Sequence, residues 1–522
     1  DGGPAALVGR AGSIGGLCWP RFDSSACFAA LLGADENGRW LIAPEAPATR
    51  ITRRYREGTL ILETDFETAD GLVSIVDFMP PRESVSDLVR IVIGRRGTVS
   101  MRMEFIVRFG YGVQVPWVSR LEDGSLRAIA GPDMTLLRTR APLRGEGLKT
   151  VAQFNVSAGE SIPFVLTYCA SHLAVPAAVD GDAALRDTET FWQEWSSRGR
   201  HEGEWSEAMQ RSLITLKALC YQPTGGIVAA PTTSLPEQLG GVRNWDYRHC
   251  WLRDATFTLL ALMNANYFEE AEAWQRWLER AVAGTPAQMQ IMYGLAGERR
   301  LSEWEVPWLL GYAGSRPVRI GNAAASQFQM DVYGEVIDAL YQARKVGLAS
   351  DPVAWSIQCG MLDHLSAVWQ QPDEGIWEVR GGRQHFTYSK VMAWVAVDRA
   401  IKSVESFGLE GPLEQWRRLR RRIHDEICLK GFNTRLGSFV QSYDSSELDA
   451  SLLLIPLTGF LSPDDPRMRG TVDAIQRHLL HDGLVMRYRT ECVTDGLPPG
   501  EGPFLPCSLW LAANLMLQGR QQ

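Results

Sequence analysis

The sequence predicts an amino-terminal antiparallel β-sandwich followed by an (α/α)6-type toroid of paired helices that lacks its last pair. Three observations predict this architecture. The chain has 522 residues, too many for one ordinary core. Apolar residues recur with a period of two up to about residue 175, and with a helical period beyond about residue 182. Ten helical segments then follow, whereas a ring of six antiparallel pairs needs twelve.

Period-two alternation in the first part indicates half-buried strands. Residues 101–109 place Met and Phe between Arg and Glu, and residues 162–168 alternate in the same way. Asp70-Gly71 separates two further alternating segments, and this dipeptide favours the tight turn of a hairpin. The sequence therefore predicts a sandwich domain over residues 1–180.

The second part is predicted to be all-helical. A segment over residues 181–203, with Trp192 and Trp195 on one side, is interpreted as a linker helix, and residues 204–522 as the helical domain. The ten helices are expected at about residues 205–221, 254–266, 267–283, 327–346, 353–370, 388–405, 411–428, 446–456, 464–481 and 503–518.

Charge, apolar content and cysteine usage limit the classes of partner and the location that we expect for the protein. The net charge of -8 argues against nucleic acid, and no apolar run is long enough to span a membrane. Nine cysteines without a C-x-x-C pair indicate reduced thiols and a cytoplasmic location. His478 and His481 share a helix but have no third ligand nearby, so we expect no metal and no cofactor. A homo-oligomer stays open.

Residues 243–254 are the least core-like stretch of the chain, because they combine aromatic rings, cations and carboxylates and then give way to an apolar helix. Sugar sites need this mixture, since pyranose rings stack on aromatic side chains and their hydroxyls require fixed polar partners. The stretch indicates an enzyme acting on carbohydrate, with a small sugar as its partner.

Hydrolysis of a glycosidic bond needs one protonated carboxyl and one carboxylate. Glu378 follows the indole of Trp377, and an apolar neighbour raises a carboxyl pKa toward the range of a general acid. We therefore predict Glu378 as the proton donor. The alternative interpretation, a surface turn at residues 373–375 and a solvated Glu378, stays open.

Other acids sit at predicted helix starts, where a capping role competes with a functional one. Asp254 is a cap or a sugar ligand, and the rings and cation beside it favour the second role. Asp331 and Asp449 are expected to be caps. Glu501 precedes a Pro suited to a first helical turn, and could cap, bind a hydroxyl or act as base.

Several segments together resemble glycoside hydrolase family 15, and look most like its bacterial trehalase-like branch. They include residues 311–322, Asp331 to Val336, the Trp377-Glu378 loop and residues 388–394. The resemblance implies a β-sandwich, a six-hairpin helical toroid, and inverting attack by water on a terminal α-linked glucose. It also implies site residues: Glu378 as general acid, and Tyr247, Trp251, Arg253, Asp254, Trp377, Arg487 and Tyr488 around the sugar.

Two departures from the family pattern stand out. Residues 12–16 read Gly-Ser-Ile-Gly-Gly where the family usually has Gly-Ser-Ile-Asp-Trp. The family's general base lies in a Glu-Glu loop between the eleventh and twelfth helices, which would fall beyond Gln522. Glu501 matches the pocket rim instead, and we keep it as a sugar ligand and a substitute base.

The leading hypothesis is an inverting, exo-acting α-glucoside hydrolase of the trehalase kind. A glucoamylase or α-glucosidase acting on maltooligosaccharides or dextran is the alternative within the same class. A sugar-binding homologue or fragment without activity is the alternative from a different class, motivated by the base expected beyond Gln522.

Overall fold

The computed structural model describes residues 3–81, 85–199, 202–348, 352–492 and 495–520. Two residues of the predicted linker, 200 and 201, lie outside this part. Over the described residues the amino-terminal domain is β-rich, with every strand pairing antiparallel: β1 Leu7–Val8, β2 Ser13–Cys18, β3 Ala26–Phe28, β4 Arg39–Pro44, β5 Arg50–Tyr55, β6 Leu62–Glu67, β7 Gly71–Phe78, β8 Ser86–Ile106, β9 Trp117–Arg120, β10 Leu126–Ala130, β11 Asp133–Thr139, β12 Leu143–Glu146, β13 Lys149–Ser157 and β14 Ser161–Ala170.

Strand β8 belongs to two sheets. Its first half pairs with β7 and β14, and its second half pairs with β4 and β13. Gly97 lies between the halves with φ +67°, a conformation that glycine adopts without steric cost. The apolar faces of both sheets meet in one core. The predicted alternation is confirmed, because Met101, Met103 and Phe105 point into this core, and so is the hairpin of β6 and β7.

Helix α1, Gly181–Ser197, joins the two parts of the chain. The side chain of Asp180 caps it by accepting from the backbone N–H of Ala183 at 2.8 Å. On one side Ala184 packs on the outer face of the β8 sheet. On the other side Trp192 and Trp195 enter the core of the helical domain. The linker helix therefore packs against both domains, with one face on the β-rich domain and another in the core of the helical domain.

The carboxy-terminal domain is mainly α-helical. Segment 446–456, predicted as an α-helix, forms only a short 3-10 helix, Ala450–Leu454, so that prediction was wrong. Asp449 binds Ser451 locally and Trp377 at a distance, and these contacts favour a tight turn. The other helices are α2 Ser206–Ala218, α3 Leu252–Asn264, α4 Glu269–Ala281, α5 Asp331–Lys345, α6 Pro352–Val368, α7 Thr387–Phe407, α8 Leu413–Lys430, α9 Pro466–His478 and α10 Leu505–Leu517.

The helical domain also contains short β-ladders, so the prediction of an all-helical second part needs correction. Strands of two to four residues are too short to show a period, which is why the sequence gives no signal for them. The pairs are Cys220–Tyr221 with Gly226–Ile227, Thr233–Pro236 with Asn244–Asp246, Cys250–Trp251 with Met292–Tyr293, Trp304–Glu305 with Arg319–Ile320, Phe432–Asn433 with Ser438–Phe439, and Leu480–His481 with Leu484–Val485.

Helix α5 lies at the centre of the helical domain, where it packs on α3 and α7, while α7 also packs on α8. The loops that precede α3, α7 and α10 meet on one side of these helices, as their shared hydrogen bonds show. All nine cysteines are free thiols. Over the described residues, none of the helices has the length and apolarity needed to cross a bilayer.

Candidate active site

The loop that carries Glu378 is tied to the start of α5. The backbone N–H groups of Met330 and Phe328 donate to the carboxylates of Asp373 and Glu374 at 3.0 and 2.8 Å. Glu378 itself has φ +59°, a left-handed conformation that costs a non-glycine residue about 1–3 kcal/mol and is concentrated at functional sites. The surrounding contacts therefore hold this acid in a strained backbone position.

The carboxyl of Glu378 faces a cation and an indole. Its Oε1 accepts from Trp251 Nε1 at 2.7 Å and from Arg253 Nη2 at 3.3 Å, and its side chain is 20% exposed. Removal from water raises the pKa of Glu378, although Arg253 and the Trp251 hydrogen bond oppose that shift. The direction suits a general acid. The indole in contact with the carboxyl is Trp251, and not Trp377 as the sequence led us to expect.

Arg253 organises the acids around it. It lies 3.3 Å from Asp331, 3.3 Å from Glu378 and 4.0 Å from Asp254. Asp254 is the third residue of α3 and does not cap it, because the helix begins at Leu252. The Asp254 side chain is 43% exposed, and its pKa is raised by partial removal from water, against the pull of Arg253. Asp254 is therefore an accessible carboxyl beside the acid.

Of the two acids expected to be helix caps, Asp449 is a cap and Asp331 is not. Asp331 is the first residue of α5 rather than its cap, and its buried carboxylate binds Arg253 while Oδ1 has no partner. That expectation was wrong, because the buried guanidinium competes better for the carboxylate than backbone N–H groups do. Asp449 does cap the 3-10 helix at Ser451, and it also accepts from Trp377 Nε1 at 2.9 Å.

Trp377 lies on the wall formed by α10. Its ring packs edge-on against Phe504 and tilted against Trp510, with centroid distances of 5.9 and 6.2 Å. The guanidinium of Arg487 lies over the same indole at 5.4 Å. The sequence-predicted residues Trp377 and Arg487 are therefore neighbours.

Glu501 lies on the buried side of Arg487. Its side chain has no exposed surface, and its oxygens accept from Arg487 at 2.7 and 2.9 Å and from Arg243 at 3.2 Å. Tyr488 is also buried, and its hydroxyl donates to Asp495 at 2.8 Å. In this arrangement neither Glu501 nor Tyr488 presents a polar atom to open space, and both support the arginines.

Glu237 is a residue of this site that the sequence reasoning missed. Its Oε2 accepts from Arg487 at 2.5 Å, and its Oε1 accepts from the hydroxyl of Tyr247 at 3.3 Å. The Tyr247 ring in turn lies 5.8 Å from that of Trp251. Glu237 is only six residues before the aromatic stretch, so an acid beside that stretch was the signal that could have found it.

The predicted residues thus form two connected groups. Trp251, Arg253 and Asp254 surround Glu378, while Arg487 and Trp377 form the other group, and Tyr247 bridges them through Glu237 and Trp251. One carboxyl with a raised pKa, a neighbouring guanidinium and adjacent aromatic rings can bind a sugar and deliver a proton to a glycosidic oxygen. Among the described residues there is no cluster of three or more side chains suited to hold a metal ion.

The comparisons with known proteins identify the family. A family model described as Glycosyl hydrolases family 15 matches residues 203–522, and one described as Trehalase-like, N-terminal matches residues 2–192. Together with the acid-bearing pocket, these matches define the protein as a glycoside hydrolase. The chain belongs to glycosyl hydrolases family 15, and the predicted resemblance is confirmed.

Relatives align over almost the whole chain. A protein named Trehalase from Mycolicibacterium smegmatis is 38% identical over 98% of this chain and 80% of its own length. Another Trehalase, from Thermoplasma acidophilum, is 33% identical over 98% of this chain and 89% of its length. A solved bacterial glucoamylase in complex with acarbose superposes with a TM-score of 0.71 at 12% identity, over 98% of this chain and 83% of that one, and shows the fold alone.

Proposed function

We propose that the protein hydrolyses α,α-trehalose with inversion, using Glu378 as the general acid. The observation that carries the proposal is the position of the Glu378 carboxyl, which binds Trp251 and Arg253 beside the accessible Asp254. A donor in this setting protonates the bridging oxygen as the bond to the anomeric carbon breaks. The names of the relatives, Trehalase, support this substrate.

The remaining site residues hold the sugar in this proposal. Arg253 and Asp254 bind hydroxyl groups of the terminal glucose, and Tyr247 and Trp251 supply ring faces. Arg487 and Trp377 line the same pocket. Tyr488 and Glu501 act through Arg243 and Arg487 rather than on the sugar, because both are buried behind them.

Inversion requires a base carboxylate about 6.5–9.5 Å from the acid, with one water between it and the sugar. The family pattern puts this base in a Glu-Glu loop that would fall beyond Gln522. We do not give Glu501 that task, because its carboxylate is enclosed and bound by two arginines. Asp254 stays a sugar ligand, since it lies on the same side as the acid, next to Arg253.

The arrangement of the helices is also part of this proposal. We infer a six-hairpin ring, with domain limits near residues 180 and 204. The exposed Leu505, Leu509 and Met516 of α10 support it, because among the described residues they form an uncovered apolar face, as expected of a helix that pairs with another one in such a ring. The free cysteines support a cytoplasmic location.

The substrate is tested with a panel of trehalose, maltose, isomaltose and starch, with glucose release as the readout. We expect trehalose to be the preferred substrate. Because inversion changes the configuration at the attacked carbon, NMR should show one β-glucose for each trehalose cleaved, before the anomers equilibrate. Preference for maltose or isomaltose would favour the glucoamylase-type alternative. Binding without any glucose release would favour the inactive sugar-binding alternative.

The acid is tested with Glu378→Gln. We expect a loss of turnover of about a thousandfold, within the range of general acid catalysis, while calorimetry still detects trehalose binding. Glu104→Gln is the matched control, because Glu104 is 19% exposed and pairs with Arg39 and Lys149 in the β-rich domain. Unchanged turnover in Glu378→Gln would remove this residue from the mechanism.

A further inference from the structure

Arg487 is held between two carboxylates. Glu501 binds it from the buried side through two hydrogen bonds, and Glu237 binds it from the other side at 2.5 Å. Glu237 is separated from Arg487 by 250 positions in the chain, so this contact exists only because the loops converge. Because a carboxylate binds the guanidinium on each of two sides, the guanidinium is restricted to one orientation.

Glu237 differs from Glu501 in being accessible and in having a tyrosine hydroxyl, rather than a second arginine, as its other partner. Its side chain is 15% exposed, and it accepts from the Tyr247 hydroxyl as well as from Arg487. Removal from water raises the pKa of Glu237, and the nearby Glu501 adds to the effect while Arg487 opposes it. A single carboxylate thus connects Arg487 and Tyr247, two residues of the candidate site.

The charges around the two pocket arginines do not balance. Arg253 contacts Asp254, Asp331 and Glu378, while Arg487 contacts Glu237 and Glu501. Glu501 also binds Arg243, which pairs with Asp495 as well, so six carboxyl groups face three cations. A neutral sugar can accept hydrogen bonds from such paired arginines, whereas a phosphorylated sugar brings negative charge close to carboxyl groups that outnumber the cations.

From these contacts, and resting on the proposed function, we propose that Glu237 is a positioning and specificity residue: it fixes Arg487 and Tyr247 for a neutral disaccharide and cancels enough of the Arg487 charge to exclude a phosphorylated one. Glu237 acts through its two partners and through its charge. The proposal predicts that removing the charge changes the affinities for neutral and anionic ligands in opposite directions.

The test measures the dissociation constants of trehalose and trehalose 6-phosphate by calorimetry in the Glu378→Gln background, in which trehalose is expected to be turned over too slowly to disturb the titration. In Glu237→Gln we expect binding of trehalose to weaken about fivefold, because the clamp loosens, and binding of the phosphate to strengthen about fivefold, because one negative charge is gone. In Glu237→Asp the charge stays but the reach is shorter. That variant should bind trehalose more weakly and still exclude the phosphate.

The design separates this inference from the function on which it rests. Glu104→Gln, which neutralises a carboxylate of similar accessibility (19% against 15% for Glu237) in the other domain, should change neither constant. Parallel weakening of both ligands in Glu237→Gln, or no change in either, would overturn the inference and leave the proposed function standing. Failure of the unaltered protein to bind trehalose, maltose or isomaltose would overturn both.

Discussion

The pKa of Glu378 is set by surroundings that shift it in opposite directions. Enclosure by protein raises its pKa, whereas the N–H of Trp251 and the charge of Arg253 stabilise the carboxylate and lower it. As the proposed general acid, Glu378 works only while it is protonated, so we expect activity to be lost as the pH rises through its pKa. The alkaline limb of the pH profile therefore reports the environment of this one side chain.

Trp251→Phe removes the indole N–H but keeps an aromatic ring. Because that hydrogen bond favours the carboxylate, its loss should raise the Glu378 pKa further and move the alkaline limb of kcat/KM to higher pH. We also expect kcat to fall about tenfold, since a weaker acid donates less readily and a hydrogen bond to a charged group is lost. The measurement is kcat/KM for trehalose from acidic to alkaline pH.

Trp377→Phe is the matched control. Its indole N–H donates to Asp449 and not to Glu378, so the position of the alkaline limb should not move. An equal shift in both variants would show that general disturbance of the pocket, rather than the Trp251 hydrogen bond, sets the limb.

At the scale of elements, the placement of Asp331 and Glu378 depends on how closely α5 and α7 approach. Gly334 lies in α5 where the two helices cross, and a Cβ built on it would lie 2.3 Å from the carbonyl oxygen of Met392 in α7. That contact is with backbone, which cannot rotate away. The glycine is therefore required for the helix spacing and not for a turn.

Gly334→Ala should destabilise the protein by about 1–3 kcal/mol, because overpacking forces the helices apart. Helix propensity alone favours alanine by about 1 kcal/mol, so the sign of the effect decides which term dominates. Urea unfolding measures it, and trehalose KM should rise because Asp331 shifts relative to Arg253.

Gly360→Ala provides the comparison within a helix that has room. Gly360 lies in α6, and its added Cβ would be 3.7 Å from the ring of Pro286, an ordinary contact. This variant should be stabilised by about 0.5–1 kcal/mol. Destabilisation of both variants by the same amount would refute the argument from helix crossing.

At the scale of the whole molecule, Arg248 connects the two domains. Its guanidinium is buried, pairs with Asp246 at 2.7 Å, and donates to the Ser24 carbonyl at 2.8 Å and to the Tyr111 hydroxyl at 2.9 Å in the β-rich domain. Three residues further on, Trp251 contacts Glu378. The domain interface and the site therefore share one short stretch of chain.

Arg248→Met should cost about 3–5 kcal/mol in the free energy of unfolding, because Asp246 would stay buried without its cation. We also expect activity to fall sharply as the stretch loses its anchor. Urea unfolding followed by fluorescence and circular dichroism measures the first effect. Arg489→Met is the control, since its pair with Glu447 is solvent-accessible and should contribute no more than about 1 kcal/mol.

Local patterns predicted much of this protein. Alternation over residues 101–109 identified part of β8, helical periodicity identified most of the helices, and the mixture of rings and charges at residues 243–254 indicated a sugar site. The strand and helix predictions are confirmed because side-chain spacing within one element is a local property of the backbone, while the sugar site stays a prediction. The role of Glu378 was proposed on the same local grounds, from the indole next to it.

The partners across the site were decided only by the tertiary structure. The sequence alone determined that the chain has a β-rich part, a helical part and a stretch suited to sugar. It did not determine that Trp251 rather than Trp377 binds Glu378, that Asp331 pairs with Arg253, or that Glu237 reaches Arg487. The reason is that each contact joins residues far apart in the chain, and the packing of the helices brings these residues together.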